Sequence, residues 1–600
     1  MRAALVKRLP AYMIPSRIVV VPRLPVTVNG KLDVRELERL ADSALGGSGG
    51  ERKTPPATPT EKTLSALLGE VFEGRAPAVD EDFFALGMDS IVAIALVNRA
   101  RRAGLAVHAR AVLANPTIRD LAAALDRGVA QVASVDRESF GQVPPLPIVS
   151  WMYAHGNYRR FTQNMLLTVP EGATRADLTA MVQAVLDGHD VLRSQLTHTA
   201  SGPRLVTREP GVVRADEVFT RIVDIPDDAC GADLREATHA ALEEIDPETG
   251  NMVRAAWFRR AVGGDLLFLA IHHLAVDVVS WHILTSDLTA AWEQIRCGVT
   301  PKVLDEPTSY RAFSQLLWQR AQSVESGVRQ RDYWASQVQA PDPAIGHRKP
   351  DPEVDTWDSL QVTMIRTPAI TTAAVLRASS RDEGVREALL TALTITLASW
   401  RRDRGQDPAG GALIALEGHG RADDVVGADT SGTVGWFTTV FPVRLGAGEL
   451  TVDVDTAEVD PGAVLRLLTE ITGHIGEIPF NGLDFGLLQD TAGVRELAGV
   501  AEPQVEFNYL GRADLMRNDG ADWSIVTDET FADAMPIAPE PDLPLRYALD
   551  VVTGVESGPD GPVLTTQWRW SSTLFTSEDA VRLAELWSRS IAAVAAAVDR

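Results

Sequence analysis

Two histidines, an aspartate and a Ser-Trp pair lie within ten positions in the stretch HHLAVDVVSW, His272 to Trp281. A metal site is one interpretation, but adjacent histidines on a strand point to opposite faces, which leaves His273 and Asp277 as ligands. Zinc needs more ligands than these, and the sequence contains neither an HExxH motif nor a cysteine cluster. Ser280 does not stand in a Gly-x-Ser-x-Gly hydrolase elbow, so it is not a nucleophile of that kind. The remaining interpretation of this segment is general acid–base chemistry without a metal.

The composition indicates a globular chain of several domains that works in the cytoplasm. At 600 residues, with 45% apolar and 23% charged residues, the chain exceeds a single domain. The formal charge of −24 argues against nucleic acid or an anionic membrane as partners. Only two cysteines occur, Cys230 and Cys297, which excludes a disulfide framework. The sequence shows no signal peptide and no uncharged apolar stretch long enough to span a membrane.

Linkers divide the chain into units. Residues 46–58 are rich in Gly, Ser and Pro, and residues 131–143 form a second connection. Between them, residues 59–130 show helical spacing and open with a capping-box pattern, Thr58-Pro59-Thr60-Glu61, which predicts a small helical bundle. The remainder mixes short apolar strands with helices and is too long for one ordinary domain. We therefore expect two lobes, residues 144–316 and 317–600, with a cleft between them.

Ser90 stands just before a helix, after Leu86-Gly87-Met88-Asp89. A lone serine in this position is usually a helix N-cap. The run DFFALGMDSI, residues 82–91, nevertheless resembles the peptidyl carrier proteins of nonribosomal peptide synthetases. The resemblance implies a four-helix carrier bundle, 4′-phosphopantetheine bound covalently to Ser90, and a phosphopantetheinyl transferase as a partner.

Residues 1–45 form a short piece ahead of the carrier. The stretch 9–37 resembles the last segment of an adenylation domain, and Lys31 of Asn29-Gly30-Lys31 matches the lysine that contacts the acyl-adenylate. Asn-Gly is equally compatible with a hairpin turn. The expected fold is a small α+β remnant. Because no adenylate-forming core precedes it, an upstream adenylation core, in cis or in trans, would have to activate the amino acid.

Five blocks between residues 144 and 600 resemble the epimerization branch of the condensation superfamily. They are LPIVSWM (146–152), HHLAVDVVSW (272–281), LEGHGR (416–421), TVGWFTTVFPVRL (433–445) and VEFNYLGR (505–512). The resemblance implies a two-lobed α/β fold like a pseudo-dimer of chloramphenicol acetyltransferase. It also implies an isomerase that converts the α-carbon of a carrier-bound aminoacyl or peptidyl thioester from L to D. A downstream condensation domain of the synthetase would receive the product.

Inversion next to a thioester requires a proton to leave one face and another to arrive on the opposite face. His273 and Glu417, 144 residues apart and expected from opposite lobes, are the predicted acid–base pair. Which of them is the base in the L-to-D direction is left open. A buried glutamate can have its pKa raised toward neutrality, and histidine titrates there already.

Further residues of these blocks are expected to support the pair. They are Arg193, His272, Asp277, Ser280, Trp281, His419, Arg421, Asn508 and Tyr509. In the resembling family Asp277 pairs with the arginine of GHDVLR, which here is Arg193. His272 is expected to be a packed histidine, while His419 and Arg421 shape the glutamate loop or hold the developing oxyanion. Asn508 and Tyr509 belong to a block that lines the active site in the family.

Four positions depart from the family pattern: Val149, Gly188, Val278 and Ala422. Val278 replaces a glycine next to Asp277, where a side chain could narrow the tunnel. Two other functions therefore stay open. One is a condensation domain that forms peptide bonds, and the other is a carrier and docking platform that has lost catalysis.

Overall fold

A computed structural model describes residues 54–599 apart from several gaps. The gaps are 73–76, 84–85, 87, 89, 128–139, 201, 226–231, 261–262, 323, 378–383, 449, 492–496, 498–501, 513–522, 527–530, 532–534 and 536–539. Lys31, with the rest of the expected adenylation remnant, and Cys230 lie outside the described residues. Within these ranges, no helix has both the length and the apolar character needed to cross a membrane.

The carrier unit consists of helices around one small apolar core. The helices described are Pro59–Val71, Ser90–Arg102, Ala109–Ala114 and Ile118–Asp126. The predicted capping box is confirmed, because Thr58 Oγ1 accepts the Glu61 N–H at 3.1 Å and Glu61 Oε2 accepts the Thr58 N–H at 3.0 Å. Two orphan donors at the helix start are thereby satisfied. Leu64, Leu68 and Val97 lie in the core of this unit.

The first lobe contains two small sheets. Strands β2 (Thr162–Thr168), β5 (Phe219–Ile225), β6 (Val253–Arg260) and β7 (Leu266–His272) form one sheet in the order β2-β7-β6-β5. Strands β1 (Gly141–Val143), β3 (Ser194–Thr199) and β4 (Gly202–Thr207) form the other in the order β1-β4-β3. The helices of this lobe are Pro147–His155, Arg175–Gly188, Ala215–Val218, Ala232–Glu243, Val278–Arg296 and Tyr310–Ala321. Every residue of β7 is buried, which agrees with its continuous apolar sequence.

The second lobe has a six-stranded sheet covered by helices. The strands are β8 (Leu360–Thr367), β9 (Ala412–Gly418), β10 (Thr439–Leu445), β11 (Val505–Arg512), β12 (Leu549–Gly558) and β13 (Gly561–Ser571), in the order β10-β9-β11-β12-β13-β8. The helices are Val324–Val338, Ala369–Leu376, Val385–Asp403, Asp423–Val426, Val454–Val459, Pro461–Gly476, Leu483–Gly486 and Ser577–Val598. Residues 388–400 of the helix Val385–Asp403 carry no charged side chain, and the helix is accordingly buried along most of its length.

Segments from the second half of the chain complete the core of the first lobe. Trp436, Phe437 and Trp523 pack in that core, and Ile525 forms a bridge with Leu167 of β2. The expected lobe boundary at 316/317 falls inside the helix Tyr310–Ala321, which packs on the first lobe. Residues from the second half of the chain therefore form part of the core of the first lobe.

Candidate active site

The histidine segment, defined here as residues 272–281, runs from the end of β7 into a helix. His272 is the last residue of the strand, His273–Ala275 form a short 3-10 turn, and Asp277 is the N-cap of the helix Val278–Arg296. His272 is fully buried, its Nδ1 accepts the Leu274 N–H at 3.2 Å, and its Nε2 therefore donates to the Tyr158 carbonyl at 2.9 Å. The expectation that His272 is a packed histidine agrees with this position.

His273 lies among aromatic rings and one amide. Its ring stacks on Phe161 at 5.1 Å between centroids and lies 4.3 Å from the ring of Trp436. Trp281 Nε1 donates to Gln163 Oε1 at 2.8 Å, so the amide nitrogen of Gln163 is the atom that faces His273 Nε2 at 3.0 Å. Because that amide is a donor, Nε2 is an acceptor and the imidazole is neutral. Burial lowers the pKa of His273 to about 4, which favours the same form.

Glu417 lies on β9 and points to the face of the sheet opposite the helices. Its neighbours Leu416 and Ile414 belong to the core of the second lobe, and the alternation of a strand puts Glu417 on the other side. Asn508, on the adjacent strand β11, donates from Nδ2 to Glu417 Oε2. Tyr509, one residue further, packs against the core of the second lobe. Asn508 and Glu417 are thus brought together, and Tyr509 lies on the other side of the sheet.

The expected pairing of Asp277 with Arg193 is wrong. Asp277 pairs with Arg421, whose Nη2 lies 3.1 and 3.2 Å from the two carboxylate oxygens, and both side chains are buried. Ser280 completes the pair, since its N–H donates to Asp277 Oδ1 at 2.7 Å and its Oγ lies 3.3 Å from Arg421 Nη2. Arg421 follows Glu417 by four residues and Asp277 follows His273 by four. This ion pair therefore joins the histidine segment to the glutamate segment, residues 416–421.

Arg193 serves a different purpose, and its sequence position explains why. It follows the helix Arg175–Gly188 after one 3-10 turn, close to carbonyl groups that the end of a helix leaves without partners. Its Nη1 donates to the carbonyls of Asp187 and His189 at 2.9 and 3.0 Å, and its Nε donates to the Arg208 carbonyl at 3.0 Å. The guanidinium is thus occupied by backbone within its own lobe.

The turn after Glu417 is tightly constrained. The Arg421 N–H donates to His419 Nδ1 at 3.1 Å, which agrees with a role of His419 in shaping the loop. Gly420 has φ +64°, and a Cβ at this position would lie 1.7 Å from the Phe437 carbonyl oxygen, so only glycine fits. The Phe437 N–H in turn donates to Asp277 Oδ2 at 3.3 Å.

Two residues of the site went unnoticed in the sequence, Gln163 and Glu506. Gln163 lies on β2 opposite Ile271, and no motif marks it. Glu506 lies on β11, is 8% exposed, and projects from the same sheet face as Glu417 of the neighbouring strand β9. Burial and the negative charge of Glu417 raise the pKa of Glu506 well above its usual value. Its position inside VEFNYLGR was the only available signal.

The departures from the family pattern have local explanations at two positions. Val278 is the first residue of its helix and is 38% exposed, so it does not fill the core. At Gly188 a Cβ would lie 2.8 Å from Val303 Cβ, which occupies the space that a larger side chain would need. Val149 is buried in the core of the first lobe. Nothing in the structure explains Ala422, which is the N-cap of the helix Asp423–Val426.

The carrier helix Ser90–Arg102 contacts residues that follow each of the two segments of the site along the chain. Ile94 packs in the core of the first lobe, Asn98 Nδ2 donates to the Ser431 carbonyl at 2.8 Å, and Arg101 pairs with Asp429. Arg102 lies 3.5 Å from Asp287, which belongs to the helix that follows the histidine segment. Position 90 precedes Ile94 by four residues and Asn98 by eight, which is the spacing of one helical face.

A family model described as "Condensation domain" matches residues 152–599. The chain belongs to the condensation-domain family. A second model, "Phosphopantetheine attachment site", matches residues 62–125. The chain thus joins a carrier domain of the phosphopantetheine-binding type to a condensation-family domain, the combination that nonribosomal peptide synthetases use.

Curated relatives are much longer than this chain. Chondramide synthase of Chondromyces crocatus is 32% identical over 532 residues, which cover 86% of this chain and 13% of the relative. One component of the linear gramicidin synthase of Brevibacillus parabrevis is 31% identical over 544 residues, covering 86% of this chain and 6% of that relative. The chain therefore spans only a small part of the relatives it matches.

Solved structures share the fold of the condensation-family domain. The epimerization domain from the third module of tyrocidine synthetase B aligns with a TM-score of 0.66 at 21% identity, covering 78% of this chain and 100% of that one. The first condensation domain of the CDA synthetase aligns with a TM-score of 0.57 at 15% identity, covering 78% and 99%. At these identities the similarity establishes the two-lobed α/β architecture.

Covalent phosphopantetheine is the cofactor that the carrier domain takes. The serine predicted to hold it, Ser90, is the first residue of a 13-residue helix, and a helix N-terminus stabilises a phosphate group. The position therefore fits the group. No cluster of three His, Cys, Asp or Glu side chains suited to a metal ion occurs in the described part of the chain.

Proposed function

We propose that this chain carries an aminoacyl or peptidyl thioester on Ser90 and inverts its α-carbon from L to D. The observation that carries the proposal is the buried Asp277–Arg421 pair, which holds the segment of Glu417 against the segment of His273. Two acid–base groups from two lobes are what inversion requires, one for each face of the α-carbon. Peptide-bond formation would give no role to the second group.

His273 is suited to accept a proton. Its Nε2 accepts a hydrogen bond from the Gln163 amide at 3.0 Å. An α-C–H bond directed at Nε2 would take the place of that amide. The rings of Phe161 and Trp436 fix the plane of the imidazole. Bound at Ser90, the phosphopantetheine arm supplies a thiol on which the acyl group is a thioester with an acidified α-carbon.

Glu417 is suited to act on the other face. Asn508 orients its carboxyl group through Oε2, and the tight turn at Gly420 fixes the end of its strand. The reverse reaction exchanges the two roles, so the expected product is an equilibrium mixture of L and D forms. Two acid–base groups in fixed positions accelerate the inversion through their positions as well as through their proton affinity.

The proposal includes partners and a location. A phosphopantetheinyl transferase modifies Ser90, an adenylation core supplies the amino acid, and a downstream condensation domain takes the D-configured product in the cytoplasm. The carrier helix is held next to the site by Arg101 and Asn98, which contact Asp429 and Ser431 beyond the glutamate segment, and this supports delivery within one chain.

The test uses the whole chain with Ser90 loaded by a promiscuous transferase with L-aminoacyl or L-dipeptidyl phosphopantetheine. In deuterated water, α-deuterium uptake and the L/D ratio are followed after thioester cleavage. We expect uptake with drift to an L/D mixture, and a decrease of at least about 100-fold in Glu417→Gln and in His273→Ala, since each acid–base group contributes about that much.

Controls separate this function from the two alternatives. Intact mass confirms that every variant is loaded, and circular dichroism confirms that it is folded. Peptide formation with an added aminoacyl carrier, without α-exchange, would identify a condensation catalyst. If no loaded group undergoes either reaction, the chain is a carrier platform and the epimerase proposal is refuted.

A further inference from the structure

Three acidic residues lie side by side on the face of the second-lobe sheet that carries Glu417. Glu506 of β11 is in register with Ala415 of β9 and with Asp550 of β12. Since side chains alternate along a strand, Glu417, Glu506 and Asp550 all project from the same face. Their neighbours Leu416, Phe507 and Val551 form the core on the opposite face.

Two arginines of the described residues act on this acidic face. Arg569 lies 3.4 Å from Asp550. Arg546 also acts on Glu506, but it pairs with Glu502 at 3.0 Å and its guanidinium stacks over Trp151 at 4.4 Å.

Tyr547, which also interacts electrostatically with Glu506, has a buried hydroxyl without a hydrogen-bond partner among the described residues. Neighbouring carboxyl groups in such a place cannot all be ionised, and one of them keeps its proton. Glu506 is the most buried of the three, and its strand β11 lies between the strands that carry Glu417 and Asp550.

We propose that Glu506 is a positioning residue that shares one proton with Glu417 and supplies it for donation to the α-carbon. In the proposed arrangement the Glu506 O–H donates to the Glu417 carboxylate, beside the hydrogen bond that Asn508 donates to Glu417 Oε2. The inference rests on the proposed function, because it concerns the group that Glu417 uses in that reaction.

The protons balance over one turnover. His273 Nε2 accepts the α-proton as the C–H bond breaks, and Glu417 donates a proton as the new C–H bond forms on the opposite face. That proton reaches Glu417 from Glu506, so the carboxyl pair loses one proton and His273 gains one. Transfer of one proton from the imidazolium to the pair through solvent restores the starting state, and the reverse reaction begins from the exchanged state.

The test compares Glu506→Gln with Asp550→Asn in the loaded whole chain. Both variants remove one carboxyl group from the same sheet face and keep its shape, but only Glu506 lies on the strand adjacent to that of Glu417. First-order α-deuterium exchange is measured between pH 6 and 9.5. We expect Glu506→Gln to be about tenfold slower at pH 7.5, and its alkaline loss of rate to begin about one pH unit lower, as expected when the shared proton is lost. Asp550→Asn should stay within about threefold of the wild-type rate.

Each outcome separates the inference from the proposed function. A wild-type rate and pH profile in Glu506→Gln, with Glu417→Gln inactive, refutes the proton sharing and leaves the epimerase in place. Equal losses in Glu506→Gln and Asp550→Asn, without a shift of the alkaline limb, show a merely structural contribution and also refute it. Full activity of Glu417→Gln refutes the proposed function itself, whatever the two test variants do.

Discussion

The two sides of the candidate site differ in what surrounds the reactive group. His273 is enclosed by Phe161 and Trp436, and burial lowers its pKa to about 4. Glu417 lies beside Glu506 and Asp550, and on that side burial raises the pKa of Glu506 well above normal and that of Asp550 to about 6. Aromatic rings on one side and carboxyl groups on the other shift the pKa values in opposite directions.

This difference has one physical cause and one chemical result. Burial disfavours a charge of either sign, so it removes the proton from an imidazole and keeps the proton on a carboxylic acid. The resting site then has a neutral base on the histidine side and a proton held on the glutamate side. An inversion that starts with proton acceptance by His273 finds a neutral imidazole on one side and a carboxyl proton on Glu506 on the other.

The largest expected effect comes from breaking the link between the two sides. Arg421→Met leaves the Asp277 carboxylate buried with Ser280 as its main partner, and loss of one member of a buried pair costs about 3–5 kcal/mol. We expect a lower melting temperature of the condensation-family domain and loss of α-exchange, measured by calorimetry and deuterium uptake.

A double-mutant cycle identifies the partner of Asp277. Asp277→Asn combined with Arg421→Met should be stabler than the sum of the single variants predicts, by about 1 kcal/mol or more. Asp277→Asn combined with Arg193→Met should be additive, because Arg193 bonds to backbone carbonyls instead. Coupling to Arg193 alone would contradict the structure.

A second buried histidine sharpens the comparison, because its neighbours are carboxylates. Although burial acts to lower it, hydrogen bonds to Asp287 and Glu306, at 3.1 and 2.7 Å, raise the pKa of His189 to about 9. A raised folded-state pKa gives stability that is present below the unfolded value of about 6.5 and is lost as the pH rises through 9. We expect His189→Gln to be roughly 2–3 kcal/mol less stable than wild type at pH 6.5.

The pH dependence is the check on His189. The difference in melting temperature between wild type and His189→Gln should shrink steadily from pH 6.5 to 9.5. A constant difference over this range would show that His189 is not a cation in the folded protein.

Local features of the sequence predicted local structure well, and contacts between distant segments much less. The capping box at Thr58 and the buried role of His272 follow from spacing and alternation, which a few residues determine. The partner of Asp277 does not, because Arg421 is 144 residues away and comes from the other lobe. Glu506 reaches Glu417 only through the register of β9 and β11, which no single strand reveals.

The contact between Arg101 of the carrier and Asp429 tests whether the carrier must dock on the glutamate side of the site. Arg101 and Asp429 are partly shielded, with 18% and 9% of their side chains exposed, so a charge reversal should cost about 1 kcal/mol. We expect Arg101→Glu to slow α-exchange about fivefold and Arg101→Glu with Asp429→Arg to recover most of the rate. Arg119→Glu, an exposed reversal on another carrier helix, is the matched control and should change little. Equal slowing by both reversals would mean that overall charge, and not this contact, matters.

The smallest expected effect concerns the residue that departs most visibly from the family on the histidine side. Val278 is 38% exposed at the first position of its helix, so Val278→Gly removes no core packing and costs less than about 1 kcal/mol. His273 is held by Phe161, Trp436 and Gln163, none of which depends on the Val278 side chain. We therefore expect α-exchange in Val278→Gly to stay within about twofold of wild type. A tenfold faster exchange would instead show that this side chain obstructs the substrate. Val278 would then limit access to His273 together with Phe161 and Trp436.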